Sequence, residues 1–412
     1  MFLDVGRRRE LYTDPWSATY DERVLALGRR SRRVAYVYDK APDASTFRYR
    51  LFNMVEALEA APELDISASW FTTADLRPTN AFVDRADVMV LCRAHYSHAL
   101  ERVIAQARAR GTRVVFDVDD LVFDPRYAGI VGQSLDMKMS TEAEWDYWFA
   151  YMGRLGAALK MCDAGITTTR TLREQMQSCV PGLAVSVVPN FLNCLQMKVS
   201  DRLVSRKRAG HYRRDGMIDL GYFSGTPTHN RDLLVASPAL SRIFDRFPEV
   251  RLRVVGFIEL NEFLEPYRDR IELICLQDYV NLQPLIAGVE VNIVPLQNNL
   301  FTNCKSELKY FEAGIVGVVT VATPTEPFAQ AIRDGENGFL AGAHQWEEKL
   351  CQVIGMLRDD PGSYEAMAEA TVTDVAERYA WNTQASRIEA ALFPSGSGRR
   401  DSDRAGRTRV AG

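Results

Sequence analysis

The sequence holds seven cysteines in 412 residues, Cys92, Cys162, Cys179, Cys194, Cys275, Cys304 and Cys351, an odd number with no Cys-x-x-Cys pair. It therefore suggests neither a disulfide framework nor a zinc ribbon, and a reducing cytoplasm is the expected setting. It also lacks a long apolar run: the longest nearly apolar stretch, Ala313 to Thr323, falls well short of the ~20 residues a spanning helix needs. Any membrane contact is expected to be peripheral. The beginning of the chain puts Arg7, Arg8 and Arg9 after a short apolar stub, the reverse of a secretory signal, so no export is expected. Fifty Lys plus Arg against fifty-four Asp plus Glu leave a net charge of −4, which excludes an overall basic field for a nucleic-acid backbone. Neither G-x-G-x-x-G nor the P-loop pattern occurs, and no repeat of 20 to 50 residues is visible.

What the chain does have is length and core material. It exceeds the roughly 250 to 300 residues at which single cores stop growing, which predicts two domains. Apolar residues make up 47% and charged residues 25%, an ordinary globular balance. The charge is uneven. Residues 1–33 hold eight Arg against five acids and residues 394–412 five Arg against two, so the acidic body carries two basic ends. Each cation near anionic lipid contributes roughly 1 kcal/mol, which leaves contact with the inner face of a membrane open beside a solvated, disordered end.

From Arg33 onward, strand-like runs alternate with helix-like runs, the pattern of parallel α/β sheets. The spacing predicts strands at Val34–Tyr38, Ile66–Phe71, Asp87–Cys92, Arg113–Asp117, Ala164–Thr168 and Ala184–Val188, then at Ile218–Phe223, Arg251–Gly256, Ile271–Ile274, Val289–Val294 and Val318–Ala322. The expected architecture is α/β, two Rossmann-like doubly wound domains facing a cleft. A basic extension covers 1–32, the first domain 33–197, a charged linker 198–217, the second domain with closing helices 218–393, and a disordered polar tail 394–412. Ligands in such sheets bind beyond the carboxyl ends of the strands, so the chemistry is expected at strand-to-helix turns.

Two turns in the second half stand out. In Phe301-Thr-Asn-Cys-Lys305-Ser306-Glu-Leu-Lys309-Tyr-Phe-Glu312 a helix is expected to open at the cleft, with Lys305, Lys309 and Glu312 on one stripe bordering the apolar stripe of Leu308, Phe311 and Ile315. Cations at the rim of a buried face suit a diphosphate, helped by the helix amino end, and Glu312 one turn deeper suits ribose hydroxyls. A surface ion pair between Lys309 and Glu312 is the bland alternative. The turn Ser224-Gly225-Thr226-Pro-Thr-His-Asn-Arg231-Asp offers close backbone approach at Gly225 and a cation at Arg231, or simply a capped loop. In the first half, Arg48 and Arg50 follow the first strand, where they supply cleft charge or lie on an exposed helical turn. Asp117, Asp119 and Asp120 end a strand: two of them, Asp119 and Asp120, suit an acceptor-orienting base, while the three together also suit a divalent cation or a set of caps. Trp145, Tyr147, Trp148 and Tyr151 form either core packing or an acceptor platform.

These segments, in this order and separation, resemble retaining nucleotide-sugar glycosyltransferases of the group-1 type with the GT-B fold. The matching stretches are SGTPTHNRD (224–232), KSELKYFEAG (305–314), VGVVTVAT (316–323) and IRDGENGFL (332–340), with AHYS (94–97), DVDDLVFD (117–124), CDAGITTT (162–169) and VVPNFL (187–192) in the first half. The resemblance implies a nucleotide-diphosphate sugar donor on the second domain at Gly225, Thr226, Arg231, Lys305, Ser306, Lys309 and Glu312. It also implies an acceptor, saccharide or lipid-linked, on the first domain, closing helices that return toward that domain, and transfer with retention. It places His95 near the donor sugar, as a catalytic candidate beside Asp119 and Asp120, and Asn190 at a hinge turn near the cleft with Arg48 and Arg50. The group often carries Glu, seven residues, Glu; here Glu312 matches the second, but Cys304 stands at the first, where the missing carboxylate usually approaches the donor sugar. The resulting expectation is a cytoplasmic, metal-independent hexosyltransferase of surface-polysaccharide or glycoconjugate assembly, with no bound cofactor beyond its donor. A non-catalytic nucleotide- or glycan-binding scaffold and a nucleotide-sugar epimerase are the alternatives.

Overall fold

A computed structural model of the chain describes residues 14–77, 80–137, 139–212, 216–225 and 230–394. Thr226, residues 1–13 and the tail beyond Pro394 lie outside these.

The first sheet contains β1 (Arg32–Tyr38), β2 (Ile66–Thr72), β3 (Val88–Cys92), β4 (Arg113–Val118), β5 (Ala164–Thr167) and β6 (Val185–Val187), all parallel, in the order β2-β1-β3-β4-β5-β6. The second contains β7 (Ile218–Phe223), β8 (Val250–Val255), β9 (Ile271–Ile274), β10 (Val291–Val294), β11 (Val319–Ala322) and β12 (Phe339–Leu340), also parallel, in the order β12-β11-β10-β7-β8-β9. Helices cover both faces, which is why runs such as Val34-Ala-Tyr-Val-Tyr38 are apolar throughout and buried along their length. β12, at two residues, is too short for periodicity to reveal. Strand order reverses between β1 and β3 in one sheet and between β10 and β7 in the other, and crevices open at such reversals.

Two segments differ from expectation. The basic extension is structured in its described part: Thr19 and Glu22 form a capping box for the helix Tyr20–Leu27. Its cations are engaged within the fold. Arg23 pairs with Asp75 at 2.7 Å and lies 4.3 Å from the Trp70 ring, and Arg30 donates to the carbonyls of Leu58, Glu59 and Ile66. The segment expected as a linker from 198 is largely a helix, Cys194–Ala209, capped by Asn193. Apolar periodicity was weak there because half of its buried face is polar, Gln196 and Ser200 beside Val199 and Val204. Its Lys207 donates to the Val289 and Gly317 carbonyls, and Arg208 pairs with Glu369 at 2.7 Å.

The closing helices Pro361–Tyr379 and Ala385–Leu392 carry the chain back to the first domain. The Leu192 N–H donates to the Tyr379 carbonyl at 2.9 Å, Arg113 donates to the Leu392 carbonyl at 2.7 Å, and Arg32 pairs with Glu389. Among the described residues no helix is long and apolar enough to cross a membrane.

Candidate functional site

The crevices of the two sheets meet in a cavity of about 320 Å³ between the domains. One wall comes from the turn after β1, with Ser45, Arg48 and Tyr49; the other comes from the ends of β7, β9 and β10 and from the helix Leu308–Gly314.

On the second-domain wall, Ser224 and Gly225 follow β7 and line the cavity. Their path is fixed by a glycine that sequence reasoning missed. Gly256 ends β8 at φ +119°, and a Cβ there would lie 2.0 Å from the Ser224 carbonyl oxygen, so only glycine lets the two strand ends come together. Lys309 and Glu312 both reach this cavity. The Lys309 amine lies 5.0 Å from the Tyr222 ring centroid and is buried without a hydrogen-bond partner. Burial pulls it down to about 8, while Asp232 and Glu312 act in the opposite sense. A buried, unpaired ammonium facing a cavity is poised for an anion.

The expected helix opening at Lys305 is displaced. A short helix ends at Asn303, and the next begins at Leu308, so Lys305 and Ser306 lie in the turn between them. Lys305 leaves the stripe with Lys309 and Glu312 and reaches across the cleft, Nζ 3.6 Å from Asp120 Oδ1 and 4.6 Å from the Phe301 ring. The Ser306 hydroxyl contacts Glu307 at 3.5 Å.

On the first-domain wall, residues Arg48–Phe52 form a π-helical turn, which sends Arg48 and Arg50 in different directions. Arg48 faces the second domain: it donates to Gln196 at 2.7 Å, stands 3.6 Å from Glu312, and stacks on Tyr49 and Tyr279. Glu312 accepts from the Tyr49 hydroxyl and from Gln196, so its carboxylate is gripped mainly from the first domain. Arg50, by contrast, is 0% exposed and absent from the cavity wall. It makes a two-pronged 2.8 Å contact with Asp117 and donates to the Val188 carbonyl and, at 3.1 Å, to Asn190. Arg50, Asp117 and Asn190 thus form one buried brace between the ends of β4 and β6.

Beyond the brace, Arg93 holds Asp119 at 2.6 Å and also Asp120, while the Thr46 hydroxyl reaches Asp119 at 3.3 Å. Despite burial, Lys305 and Arg93 keep Asp120 below the usual carboxylate range. A carboxylate so stabilised is a weak base and a fixed negative charge. His95, at the end of β3, directs Nδ1 at Asp39 from the end of β1; its Nε2 is buried with no partner, and Tyr151 packs on its ring at 4.6 Å. Of the aromatic run, Trp148 is buried, Tyr147 is 61% exposed, and Tyr151 serves the His95 pocket. Among the described residues no group of three or more His, Cys, Asp or Glu is arranged to hold a metal ion.

Arg231 also crosses the gap, its Nε 2.9 Å from Asp136 and one Nη 3.2 Å from the Gln133 carbonyl. Lys305 and Arg231 therefore both point between the lobes. Cys304 is fully buried and packs with Phe301 into the first domain's core. Burial pushes its thiol up, with Asp120, Glu326 and Glu174 adding to the effect. A second carboxylate at 304 would sit among those three, which gives a physical reason for a neutral side chain. Sequence reasoning also missed Trp16, which stacks on Tyr279 at 6.1 Å and meets Phe47 edge-on. Asp39 and Arg93 went unremarked for the same reason: nothing local distinguishes them from loop charges.

Residues 219–360 match the family Glycosyl transferases group 1. No curated protein matches the chain. Among solved structures, HepE of Anabaena in complex with UDP is 13% identical over 87% of this chain and 99% of that one, with a TM-score of 0.55. The sucrose-phosphate synthase of Thermosynechococcus elongatus is 12% identical over 86% and 96%, with a TM-score of 0.56, and a glycosyltransferase from Rickettsia africae is 12% identical over 88% and 100%, also at 0.56. The second domain thus matches the group-1 glycosyl transferase family over residues 219–360, and the whole chain has the GT-B fold.

Proposed function

We propose that this protein transfers a hexose or deoxyhexose, with retention, from a nucleotide-diphosphate sugar on its second domain to a saccharide or lipid-linked acceptor on its first, in surface-polysaccharide or glycoconjugate assembly. The observation that carries this reading is the cavity itself. Lys309 brings an unpaired buried amine to it, Glu312 a carboxylate, and Gly225 a bare backbone, all at the point where two switch crevices meet. HepE, which shares the fold, has been solved with UDP and with UDP-glucose, and that supports a nucleotide-sugar donor.

The chemistry follows from charge. Departure of the nucleoside diphosphate leaves negative charge on the phosphates and positive charge on the sugar ring, so cations already in place favour the transition state over the bound donor. Lys309 and Lys305 supply that charge, Glu312 accepts ribose hydroxyls, and His95, whose Nδ1 faces Asp39, keeps its unpaired Nε2 for the sugar. Asp119 and Asp120, held by Arg93, position the acceptor and steady the developing positive charge. Seven free thiols fit a cytoplasmic setting.

A thermal-shift screen of UDP-, GDP- and dTDP-sugars tests the reading. A ligand at about 100 times its Kd adds ~2.7 kcal/mol of stability, and silence across all donors overturns the proposal. One observation favours the scaffold alternative: Glu312 is already satisfied by Tyr49 and Gln196 with Arg48 beside it. Donor hydrolysis in the absence of acceptor separates an enzyme from a scaffold.

A further inference from the structure

A second interdomain pocket, of about 390 Å³, is lined by Glu307, the residue next to Leu308 of the donor cavity. Its wall is mostly polar and comes from both domains: Thr168 and the first turn of the helix Arg170–Cys179 from the first, Glu326, Arg378 and Arg387 from the second. Four arginines converge on it. Arg170 is 3.6 Å from Glu174, and Arg378 is tied to Asp374 at 3.1 Å. Arg173 and Arg387 have no acidic partner among the described residues; Arg387 makes only a 3.5 Å contact with the Gln384 amide oxygen.

Two further observations point to an anion. Thr168, 3% exposed, lines the pocket with its hydroxyl buried and without a partner. A buried hydroxyl without a partner is unfavourable, so a ligand that can hydrogen-bond suits it. The ten-residue helix also opens here, with Thr169 capping Leu172 and its first turn favouring negative charge. The Glu326 carboxylate lies near that turn; burial, with Glu174 beside it, pushes it above the usual carboxylate range against the pull of Arg170 and Thr171. The arginines beyond that turn are equipped for an anion.

We propose that this pocket binds the phosphate group of a phosphorylated small molecule, held by Arg173, Arg387 and the Thr168 hydroxyl, separately from the donor diphosphate. Guanidinium forks match phosphate oxygens, and a buried hydroxyl completes the set.

Calorimetric titration of the full chain with inorganic phosphate tests the site, with UDP at saturation so that the donor cavity is filled. One phosphate is expected to bind. Arg173→Ala should weaken it at least ten-fold and Thr168→Val several-fold, Glu326→Gln should tighten it by removing a like charge, and Arg268→Ala, on a remote exposed pair, should leave it unchanged. Arg387→Ala, at an exposed side chain, carries the same expectation should Arg173→Ala fail to fold. No binding, or equal affinity in the wild type and both arginine variants, overturns the site. This binding arm stands without glycosyl transfer; if UDP itself fails to bind, the same variants are compared without it, so the two readings fail separately. A rate arm, which rests on the proposed transfer, separates the sources of the phosphate. If it belongs to the acceptor, free phosphate raises the acceptor KM and leaves donor hydrolysis unchanged. If it belongs to a free effector, phosphate changes donor hydrolysis itself. Binding that alters neither rate marks an adventitious ion only and removes the functional part of the proposal.

Discussion

Lys305 Nζ of the second domain stands 3.6 Å from Asp120 Oδ1 of the first, each side chain 24% exposed. The pair bridges the two domains, and under the proposed donor reading the amine has a resting partner that a phosphate would replace.

Lys305→Ala is therefore expected to lower transfer and donor hydrolysis by on the order of 100-fold, the usual loss on removing one prearranged donor. The melting temperature should hardly move, because a partly exposed pair contributes little to stability. Arg231→Ala, whose pairing with Asp136 is also partly exposed, should likewise lower turnover with little change in melting. Full activity in both variants removes the diphosphate assignment.

Arg50→Ala should behave in the opposite way. Asp117 would be left buried and uncompensated, a loss of about 3–5 kcal/mol measurable by urea unfolding. Asn190→Ala should cost about 1 kcal/mol, one hydrogen bond. Activity per folded molecule should survive in both; a selective rise in acceptor KM with unchanged stability would instead return Arg50 and Asn190 to the cleft.

Lys309 makes stability depend on pH in a definite direction. Its amine titrates near 8 when folded, against the ordinary 10.5. Between those values the unfolded chain binds more protons, so stability rises with pH through that window, and the cost of burying the charged amine persists below it. Lys309→Met should flatten the rise in unfolding curves taken from pH 7 to 10.5. UDP binding near pH 8 should take up a proton, visible as buffer-dependent heat that the Met variant lacks.

Glu312→Gln keeps the shape of the side chain and removes its charge. Hydrogen bonds to charged groups contribute about 1.5–3 kcal/mol, so UDP affinity should fall ten-fold or more by calorimetry, while the contacts with Tyr49 and Gln196 keep the domains together. Unchanged affinity would mean that the carboxylate serves only the interface.

Gly256→Ala tests the approach of β8 to β7. With 2.0 Å to the Ser224 carbonyl and a φ of +119°, the methyl group cannot be accommodated without moving backbone. Donor binding should be lost together with several degrees of melting temperature, whereas Gly225→Ala, which meets nothing within 4 Å, should leave melting unchanged.

Period and composition were enough to place eleven of the twelve strands, the two-domain division and the turns after β7 and β10, because burial on both faces of a parallel sheet demands continuous apolar runs whatever the partners are. Residue identity also marked Lys309, Glu312 and Asp120 as groups worth locating, and the family resemblance marked His95. Which of them share a wall was decided by the tertiary structure alone. A π-helical turn sends Arg50 into a brace and Arg48 toward Glu312, a break in a helix turns Lys305 across to Asp120, and the pairing of β1 with β3 brings Asp39 to His95, 56 residues away in sequence. Such relations depend on distances across the fold and on which charges burial forces into partnership, and local sequence spacing contains neither.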